Sequence, residues 1–202
     1  MNHNTDNVRI VSSAPMVSPN ALIEKLPLSE KAASGVVSSR NSIKNILYGN
    51  DNRLMVLVGP CSIHDTKAAI EYAKNLLKLK EELSEDLLIV MRVYFEKPRT
   101  TVGWKGLIND PYLDESFDID KGLETARKLL VDLGEMNMPV GVEYLDVLTP
   151  QYLSDLISWG AIGARTTESQ SHRELASALS CPVGFKNGTG GSLEIAFDAI
   201  QS

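Results

Sequence analysis

Cysteine is scarce in this chain, which has only two, Cys61 and Cys181, among its 202 residues. Two cysteines are too few for a disulfide scaffold, so we expect a protein of the reducing cytoplasm. The sequence also lacks a run of about eighteen apolar residues and a charged start followed by an apolar segment, which predicts neither a membrane-spanning nor a secreted protein. Positive charge is not in excess, because the formal net charge is −6, and this argues against general nucleic-acid binding.

What the sequence does have, from Leu54 onward, is a regular alternation of short apolar runs and amphipathic helical patterns. Five runs have the length of buried strands, at 54–58, 87–95, 139–144, 161–165 and 182–186. Helices are predicted at about 65–83, 120–137, 150–159 and 172–179, and Ser192 is expected to cap a final one. Strands that alternate with helices on short connections are typical of a parallel sheet in an α/β protein.

The first fifty residues have a different pattern. Residues 1–17 are polar apart from a short β-prone patch at 8–12, and an unstructured tail is an equal alternative for the first fifteen. Ser18-Pro19 and Ser29 each predict a helix start, and Gly49-Asn50 predicts the end of the second helix. We therefore divide the chain into an N-terminal extension, 1–50, with a regulatory or oligomerisation role, and an α/β unit, 51–202.

Two α/β architectures compete for the second unit. A doubly wound sheet should carry a Gly-rich fingerprint after its first strand, and Gly59-Pro60-Cys61 is not one. A (β/α)8 TIM barrel should instead place reactive groups at the end of strand after strand. Such residues follow all five predicted strands: Cys61 and His64, Arg92 and Lys97, Glu143, Arg165, and Lys186. The sequence therefore predicts about the first five βα units of a (β/α)8 barrel.

A cluster of positive charge follows the second predicted strand. Its four cations are Arg92, Lys97, Arg99 and Lys105. Cations this close repel one another, whereas phosphate and carboxylate oxygens would accept charge-assisted hydrogen bonds from all of them. Arg92 with Arg165 and Lys186 of later strands would hold a ligand that bears phosphate and carboxylate, and Arg99-Thr100 would hold a second phosphate. A solvated basic loop is the alternative.

Three further features have a chemical and a structural interpretation. Cys61 and His64 offer thiolate and imidazole, which are suitable metal ligands, although a lone histidine more often orients a neighbour or satisfies the core. Cys181 precedes its strand, which predicts a structural role at the opposite rim. The glycine-rich run 188–191 is either a phosphate cradle or a simple turn between strand and helix.

Four long motifs resemble one family over nearly the whole chain. They are GPCSIHD at 59–65, MRVYFEKPRTTVGWKGL at 91–107, GAIGARTTES at 160–169 and PVGFKNGT at 182–189. They closely resemble the feedback-regulated bacterial and fungal 3-deoxy-D-arabino-heptulosonate-7-phosphate (DAHP) synthases. This resemblance implies a metal-dependent, aldol-like condensation of phosphoenolpyruvate with erythrose 4-phosphate, the entry to aromatic amino-acid synthesis.

The resemblance also implies residue roles. Phosphoenolpyruvate would be bound by Arg92, Arg165 and Lys186, with help from Glu143 through water and from the Ala164 amide. Lys97 would lie between the two substrates, and Arg99-Thr100 would hold the aldose phosphate. On chemical grounds, Lys97 is also our candidate for donating a proton to the nascent alkoxide. Cys61 would be a ligand of a divalent metal (Mn, Fe, Co or Zn), and His64 would belong to the motif without being a ligand.

An allosteric site is implied as well. The resemblance places an aromatic amino-acid pocket near Gln151, Leu175, Leu179 and Ser180, and phenylalanine is the effector that we expect. Ordinary helix packing is the alternative explanation of these residues. The resemblance further implies a homo-oligomer, either a dimer or a tetramer.

One departure from the family matters more than the match. A complete barrel has eight strands and about 250 residues, and this sequence supplies about five strands. We therefore expect a fragment of a longer enzyme or a truncated gene product, inactive on its own, with the remaining metal ligands outside the 202 residues. A non-catalytic module that binds an anionic metabolite or an aromatic amino acid is the alternative. Gly190 is a smaller departure, because family members usually carry Asp there.

Overall fold

The computed structural model describes residues 5–99 and 101–202. Two helices precede the first strand, and helices then alternate with strands to the end. The elements are α1 (Pro19–Lys25), α2 (Glu30–Leu47), β1 (Leu54–Val58), α3 (Thr66–Glu82), β2 (Leu87–Arg92), α4 (Ile119–Glu135), β3 (Val140–Tyr144), α5 (Pro150–Leu153), β4 (Trp159–Ile162), α6 (Gln170–Ala178), β5 (Val183–Phe185) and α7 (Glu194–Gln201). No described helix has the length and apolar character needed to cross a membrane.

The five strands form one parallel sheet in the order β1-β2-β3-β4-β5, so every strand lies beside its neighbour in sequence. Leu54 of β1 pairs with Leu87 of β2, and Gly160 of β4 pairs with Val183 of β5. The predicted parallel sheet is therefore confirmed. Because all five strands run parallel, their carboxyl ends lie at one edge of the sheet.

The two faces of the sheet are covered differently. Alternate residues of a strand point to opposite faces, and in β2 Ile89 and Met91 pack in the main core with side chains of α3 and α4. On the opposite face, Leu88 and Val90 pack against Ile43 of α2. We call this second face the inner face. Its apolar contacts with α2 lie toward the amino end of the strands, and polar side chains follow at the carboxyl end.

The N-terminal extension is tied to the α/β unit by a buried cation. Arg127 of α4 has no exposed surface. It forms two hydrogen bonds of 2.8 Å with the Asp155 carboxylate and donates to the carbonyls of Leu26 (2.9 Å) and Tyr152 (2.7 Å). The Tyr152 hydroxyl in turn donates to the Val17 carbonyl at 2.7 Å. Side-chain and backbone bonds therefore fix residues 17–26 against α4 and α5.

The predicted helix starts agree with the observed caps. Ser18 and Ser29 accept hydrogen bonds from the backbone amides three residues later, and Asp65 caps α3 in the same way. Each of these side chains satisfies an amide that has no partner within the helix. Ser192 does not cap α7, because the residue that precedes this helix is Leu193. The patch at 8–12 does not form a strand.

The predicted helix at 150–159 is wrong. Helix α5 ends at Leu153, a short 3₁₀ turn covers Ser154–Leu156, and Trp159 begins β4. The tertiary reason is that β3 requires a partner: the Ser158 amide donates to the Val140 carbonyl at 2.9 Å. The strands predicted at 87–95, 139–144, 161–165 and 182–186 are also shorter or shifted, to the bounds given above.

Candidate functional site

Three of the charged residues predicted at the strand ends, Arg92, Glu143 and Lys186, lie on the inner face. Arg92 is the last residue of β2, and Glu143 is the fourth residue of β3. Lys186 follows β5 directly, and its backbone amide donates to the Ile162 carbonyl at 3.0 Å. Gly163 leaves room for the Glu143 carboxylate, since a Cβ at position 163 would lie 2.3 Å from Glu143 Oε1. Strand alternation and one glycine thus bring these side chains to one edge.

The Tyr94 ring lies close to both cations, Arg92 and Lys186. The Arg92 guanidinium carbon is 4.3 Å from the centre of the Tyr94 ring, and Lys186 Nζ is 5.3 Å from it. Lys186 also forms an ion pair with Glu143. Arg92 Nε is buried and has no hydrogen-bond partner. A buried donor without a partner is costly, so this nitrogen is suited to an anionic ligand.

Cys61 and Lys97 form the next part of the site. Lys97 Nζ donates to Cys61 Sγ at 3.0 Å. This hydrogen bond and the charge of the ammonium lower the pKa of the Cys61 thiol, and the more distant Arg92 and Arg99 act in the same direction. The thiolate is the form that binds metals. The exposed Cys61 side chain is therefore suited to be a metal ligand.

The residues present do not complete a metal site. Within 5–99 and 101–202, no three or more histidine, cysteine, aspartate or glutamate side chains are grouped so that they could hold a metal ion. Catalytic metal sites in proteins ordinarily have at least three protein ligands. Cys61 is thus a single suitable donor, and His64 is an exposed residue of the following turn.

The loop after β2 carries the remaining cations. It closes on itself through a bridge between Glu96 and Gly106 and a 2.9 Å hydrogen bond from the Lys97 amide to the Lys105 carbonyl. A cavity of about 440 Å³ opens beside it. Its lining includes Glu96, Lys97, Arg99, Lys105, Asp146 and Arg165. The structure thus brings Arg165 and the loop cations together, with Ala164 in the same turn as Arg165, while Thr100 lies outside the described residues.

A larger groove, of about 620 Å³, lies between α3 and α4. Its charged lining residues are Lys67, Glu71, Lys74, Lys121, Glu124, Lys128 and Asp132. Cations and carboxylates are mixed in this groove, and α3 and α4 cover the outer face of the sheet, which is the face opposite the inner face. The groove is therefore separate from the edge that carries Arg92, Glu143 and Lys186, which we call the cationic edge.

Glu96 is a residue of the site that sequence reasoning missed. Its side chain is buried, and Oε2 accepts hydrogen bonds from Thr149 Oγ1 (3.2 Å) and from the Leu145 amide (3.4 Å). Burial raises the pKa of this carboxyl to about 7. Tyr94 was missed as well. A signal was available in both cases, because positions 94 and 96 continue the alternation that puts Arg92 on the inner face.

The residues predicted to bind an effector lie elsewhere. Gln151 is exposed on α5, Leu175 and Leu179 are half-buried against the main core, and Ser180 is exposed. Helix α6 touches the loop after β3 through His172, whose Nε2 is 2.8 Å from the Leu145 carbonyl. The effector site stays a prediction.

The two remaining sequence features have local explanations. Cys181 is buried beside the start of β5, and burial raises the pKa of its thiol. In the run 188–191, the Gly188 amide donates to the Ser192 carbonyl and the Gly191 amide to the Gly188 carbonyl, both at 2.9 Å. These two amides are used within the turn and are not free to hold a phosphate.

Comparison with known proteins identifies relatives over the whole chain. The pattern of the DAHP synthetase I family matches residues 25–202. The Phe-sensitive phospho-2-dehydro-3-deoxyheptonate aldolase of Escherichia coli K12 is 62% identical over 202 residues, which are 100% of this chain and 58% of that protein. The Tyr-sensitive aldolase of the same organism is 56% identical over 197 residues, 98% of this chain and 55% of that protein.

A solved structure gives the same result for the fold. The phospho-2-dehydro-3-deoxyheptonate aldolase of Francisella tularensis superposes with a TM-score of 0.93 at 55% identity, covering 95% of this chain and 56% of that one. The predicted architecture, about the first five units of a (β/α)8 barrel, is confirmed. The chain spans between 55% and 58% of the length of these relatives.

Proposed function

Because this chain belongs to the DAHP synthetase I family, we propose that the protein which carries it condenses phosphoenolpyruvate with erythrose 4-phosphate and water to give DAHP and inorganic phosphate. The observation that best supports this proposal is the cationic edge, where Arg92 keeps a buried, partnerless Nε. Phosphoenolpyruvate is small and densely anionic, and its phosphate and carboxylate would accept the bonds that these cations offer.

The residues of the cationic edge, together with Arg165 of the neighbouring cavity, bind and orient phosphoenolpyruvate. Arg92, Arg165 and Lys186 neutralise its phosphate and carboxylate, and Glu143 fixes the Lys186 ammonium through their ion pair. In the reaction, C3 of phosphoenolpyruvate forms a bond to the aldehyde carbon of erythrose 4-phosphate. Water then adds at C2, and phosphate leaves by cleavage of the bond between C2 and oxygen. Fixed charges assist these steps because they need no reorganisation during the reaction.

Lys97 supplies the proton that the first step requires. As carbon–carbon bond formation proceeds, the aldehyde oxygen becomes an alkoxide, and a positioned ammonium can protonate it. Lys97 Nζ lies 3.0 Å from Cys61 Sγ, and Lys97 lines the same cavity as Arg165. Arg99, Thr100 and Lys105 would hold the aldose phosphate on the other side of Lys97.

Cys61 contributes one thiolate to a divalent metal (Mn, Fe, Co or Zn), which would act as a Lewis acid on the aldehyde. The lowered pKa of its thiol supports this role. Since the described residues do not offer a group of three ligands, we derive no step through the metal.

Regulation is the last element of the proposal. The relatives named above are Phe-sensitive and Tyr-sensitive, and we propose that an aromatic amino acid, phenylalanine first, inhibits this protein through a site near Gln151, Leu175, Leu179 and Ser180. The protein would be a cytoplasmic homo-oligomer, a dimer or a tetramer. Titration of phenylalanine, tyrosine and tryptophan against steady-state activity tests the effector, and no inhibition by any of them would refute it.

The proposed substrates are tested by measuring their binding affinities with calorimetry. Arg165→Ala should weaken binding of phosphoenolpyruvate much more than binding of erythrose 4-phosphate, because the lost guanidinium belongs to the phosphoenolpyruvate side. Arg9→Ala, at an exposed arginine of the N-terminal extension, is the control and should change neither affinity. Equal losses for both ligands would refute the division of the two anion sites.

Turnover is tested with the periodate–thiobarbiturate assay for the heptulosonate product. The assay is applied to a chimaera in which this chain replaces the matching 202 residues of the Phe-sensitive E. coli relative. Product formation supports the proposed reaction, and a folded chimaera that binds both substrates without forming product contradicts it.

A second candidate is binding without turnover by the 202-residue chain itself. The absence of a three-ligand metal group among the described residues favours it. Calorimetry and the same colour assay on the chain alone distinguish the two: phosphoenolpyruvate binding without product supports a binding module, and product formation excludes it.

A further inference from the structure

We propose that Tyr94 is a positioning residue, which holds the Arg92 and Lys186 cations ready for an anionic ligand by facing them with an aromatic ring instead of a carboxylate. This inference rests on the proposed function, because the ligand is phosphoenolpyruvate or a compound that likewise bears phosphate and carboxylate. Tyr94 itself acts through the two cations.

The backbone fixes the position of the ring. The Tyr94 carbonyl accepts a hydrogen bond from the Ile63 amide at 2.8 Å, and the Val93 amide donates to the Gly141 carbonyl at 2.9 Å. Val93 and Phe95 are buried in the main core on the outer side. In this extended segment Tyr94 therefore points to the inner face, as Arg92 does, and its side chain is only 6% exposed.

The ring is the partner that the structure gives to Arg92. The guanidinium carbon is 4.3 Å from the ring centre, and Arg92 Nε is buried without a hydrogen-bond partner. None of the described ion pairs includes Arg92. Lys186 Nζ, which is paired with Glu143, is 5.3 Å from the same ring. The negative face of an aromatic ring attracts cations within about 6 Å. The Tyr94 ring therefore attracts both the Arg92 guanidinium and the Lys186 ammonium.

An aromatic ring does this without neutralising the site. Arg92, Lys186 and Glu143 together carry one net positive charge, and a second carboxylate at position 94 would reduce that charge to zero. A carboxylate would also occupy the hydrogen-bond donors that the ligand needs. Burial raises the pKa of the Tyr94 hydroxyl, so the side chain stays neutral at pH 7. The cations are thus oriented before the ligand arrives, which lowers the cost of binding.

The experiment changes the charge distribution of the ring at nearly constant shape. Phenylalanine and then mono-, di- and trifluorophenylalanine replace Tyr94 in the 202-residue chain, and the affinity for phosphoenolpyruvate is measured by calorimetry. Each fluorine weakens the negative face of the ring. We expect Tyr94→Phe to stay within about threefold of the unsubstituted chain and the trifluoro variant to bind about tenfold more weakly, which matches a typical cation–π contribution.

The control is the same fluorinated series at Phe95, a buried ring of the opposite face, where affinity should not depend on the number of fluorines. Tyr94→Leu, which has no ring, should bind at least as weakly as the trifluoro variant. If Tyr94→Leu does not fold, the fluorinated series decides alone.

Three results would overturn the inference. An affinity independent of fluorine number at position 94 would reduce Tyr94 to a packing residue. A loss in Tyr94→Phe as large as in the trifluoro variant would transfer the role from the ring to the hydroxyl. Failure of the unsubstituted chain to bind phosphoenolpyruvate would refute the proposed function of this edge, and the inference with it, whereas the first two results leave the proposed function intact.

Discussion

Gly106 closes the loop after β2 that carries Lys97, Arg99 and Lys105. Its replacement by alanine is the sharpest steric test of the site. Gly106 has φ +112° and forms the bridge with Glu96. A Cβ at this position would lie 2.1 Å from the Phe95 carbonyl oxygen and 2.8 Å from the Glu96 Cα atom. Both contacts are with backbone, which cannot rotate away as a side chain can. The loop must therefore open, and Lys97 and Arg99 must move with it.

The cost can be estimated from two contributions. A non-glycine residue in this backbone region costs about 1–3 kcal/mol, and insertion of a methyl group into a closely packed position costs about 1–3 kcal/mol. The lower limits add to about 2 kcal/mol, which corresponds to a factor of about 30 in an equilibrium constant. If opening of the loop relieves this strain, the equilibrium shifts from the closed loop, which holds the phosphate-binding cations in place, to the open loop. We therefore expect the affinity for erythrose 4-phosphate to fall by about tenfold to thirtyfold.

Calorimetric titrations with erythrose 4-phosphate and phosphoenolpyruvate measure the effect, and a thermal melt shows whether the core is intact. Gly190→Ala is the matched control, because a Cβ there meets no atom within 4 Å, and both affinities should be unchanged. A loss for erythrose 4-phosphate that exceeds the loss for phosphoenolpyruvate indicates a local opening of the loop. An affinity for erythrose 4-phosphate within twofold of the unsubstituted chain would refute the argument.

Three further predictions concern stability, pH and metal binding. Arg127→Met should lower the free energy of unfolding by about 3 kcal/mol in urea titrations, because the carbonyls of Leu26 and Tyr152 lose their donor and the ion pair with the partly exposed Asp155 is lost. Lys128→Met, on the exposed side of the same helix, should change it by less than about 0.5 kcal/mol, and equal effects would contradict the structural role of Arg127. Glu96 has a folded-state pKa raised to about 7 from 4.5, so the folded state binds more protons than the unfolded state in that window. Stability should therefore fall as pH rises from about 4.5 to 7, by at most about 3 kcal/mol. Glu96→Gln should flatten this dependence, and an unchanged slope would show that other groups cause it. Finally, cobalt(II) added to the chimaera should give a thiolate charge-transfer absorption that Cys61→Ala lacks and Cys181→Ala retains; its persistence in Cys61→Ala would remove Cys61 from the metal site.

The sequence was sufficient wherever structure depends on near neighbours. Ser18 and Ser29 begin their helices as predicted, and Asp65 caps the helix that was predicted from about residue 65, because a cap needs only a side chain and an amide two or three residues later. The strands, and the return of charged residues after them, followed from residue periodicity. In a parallel sheet, all strand ends lie at one edge, so Arg92, Glu143 and Lys186 could be placed together before any coordinates.

The sequence failed where distant segments compete for the same backbone. Residues 150–159 have a helical pattern, yet Trp159 pairs with Gly141 of β3, and this partner lies 18 residues away in sequence. The burial of Arg127 could not be predicted from the sequence either, because its partners Leu26, Tyr152 and Asp155 are 101, 25 and 28 residues away.

The candidate site likewise combines features that the sequence determines with features that only the tertiary structure decides. The sequence by itself determined which side chains are available: a cationic run after β2, a cysteine in a turn after β1, and a lysine after β5. Only the tertiary structure decided that Lys97 donates to Cys61 across 36 residues and that the Tyr94 ring faces both Arg92 and Lys186. The physical reason is that side-chain identity and periodicity are local properties of the chain, whereas hydrogen bonds, burial and cation–π contacts depend on distances that arise only when the sheet brings separate strands together.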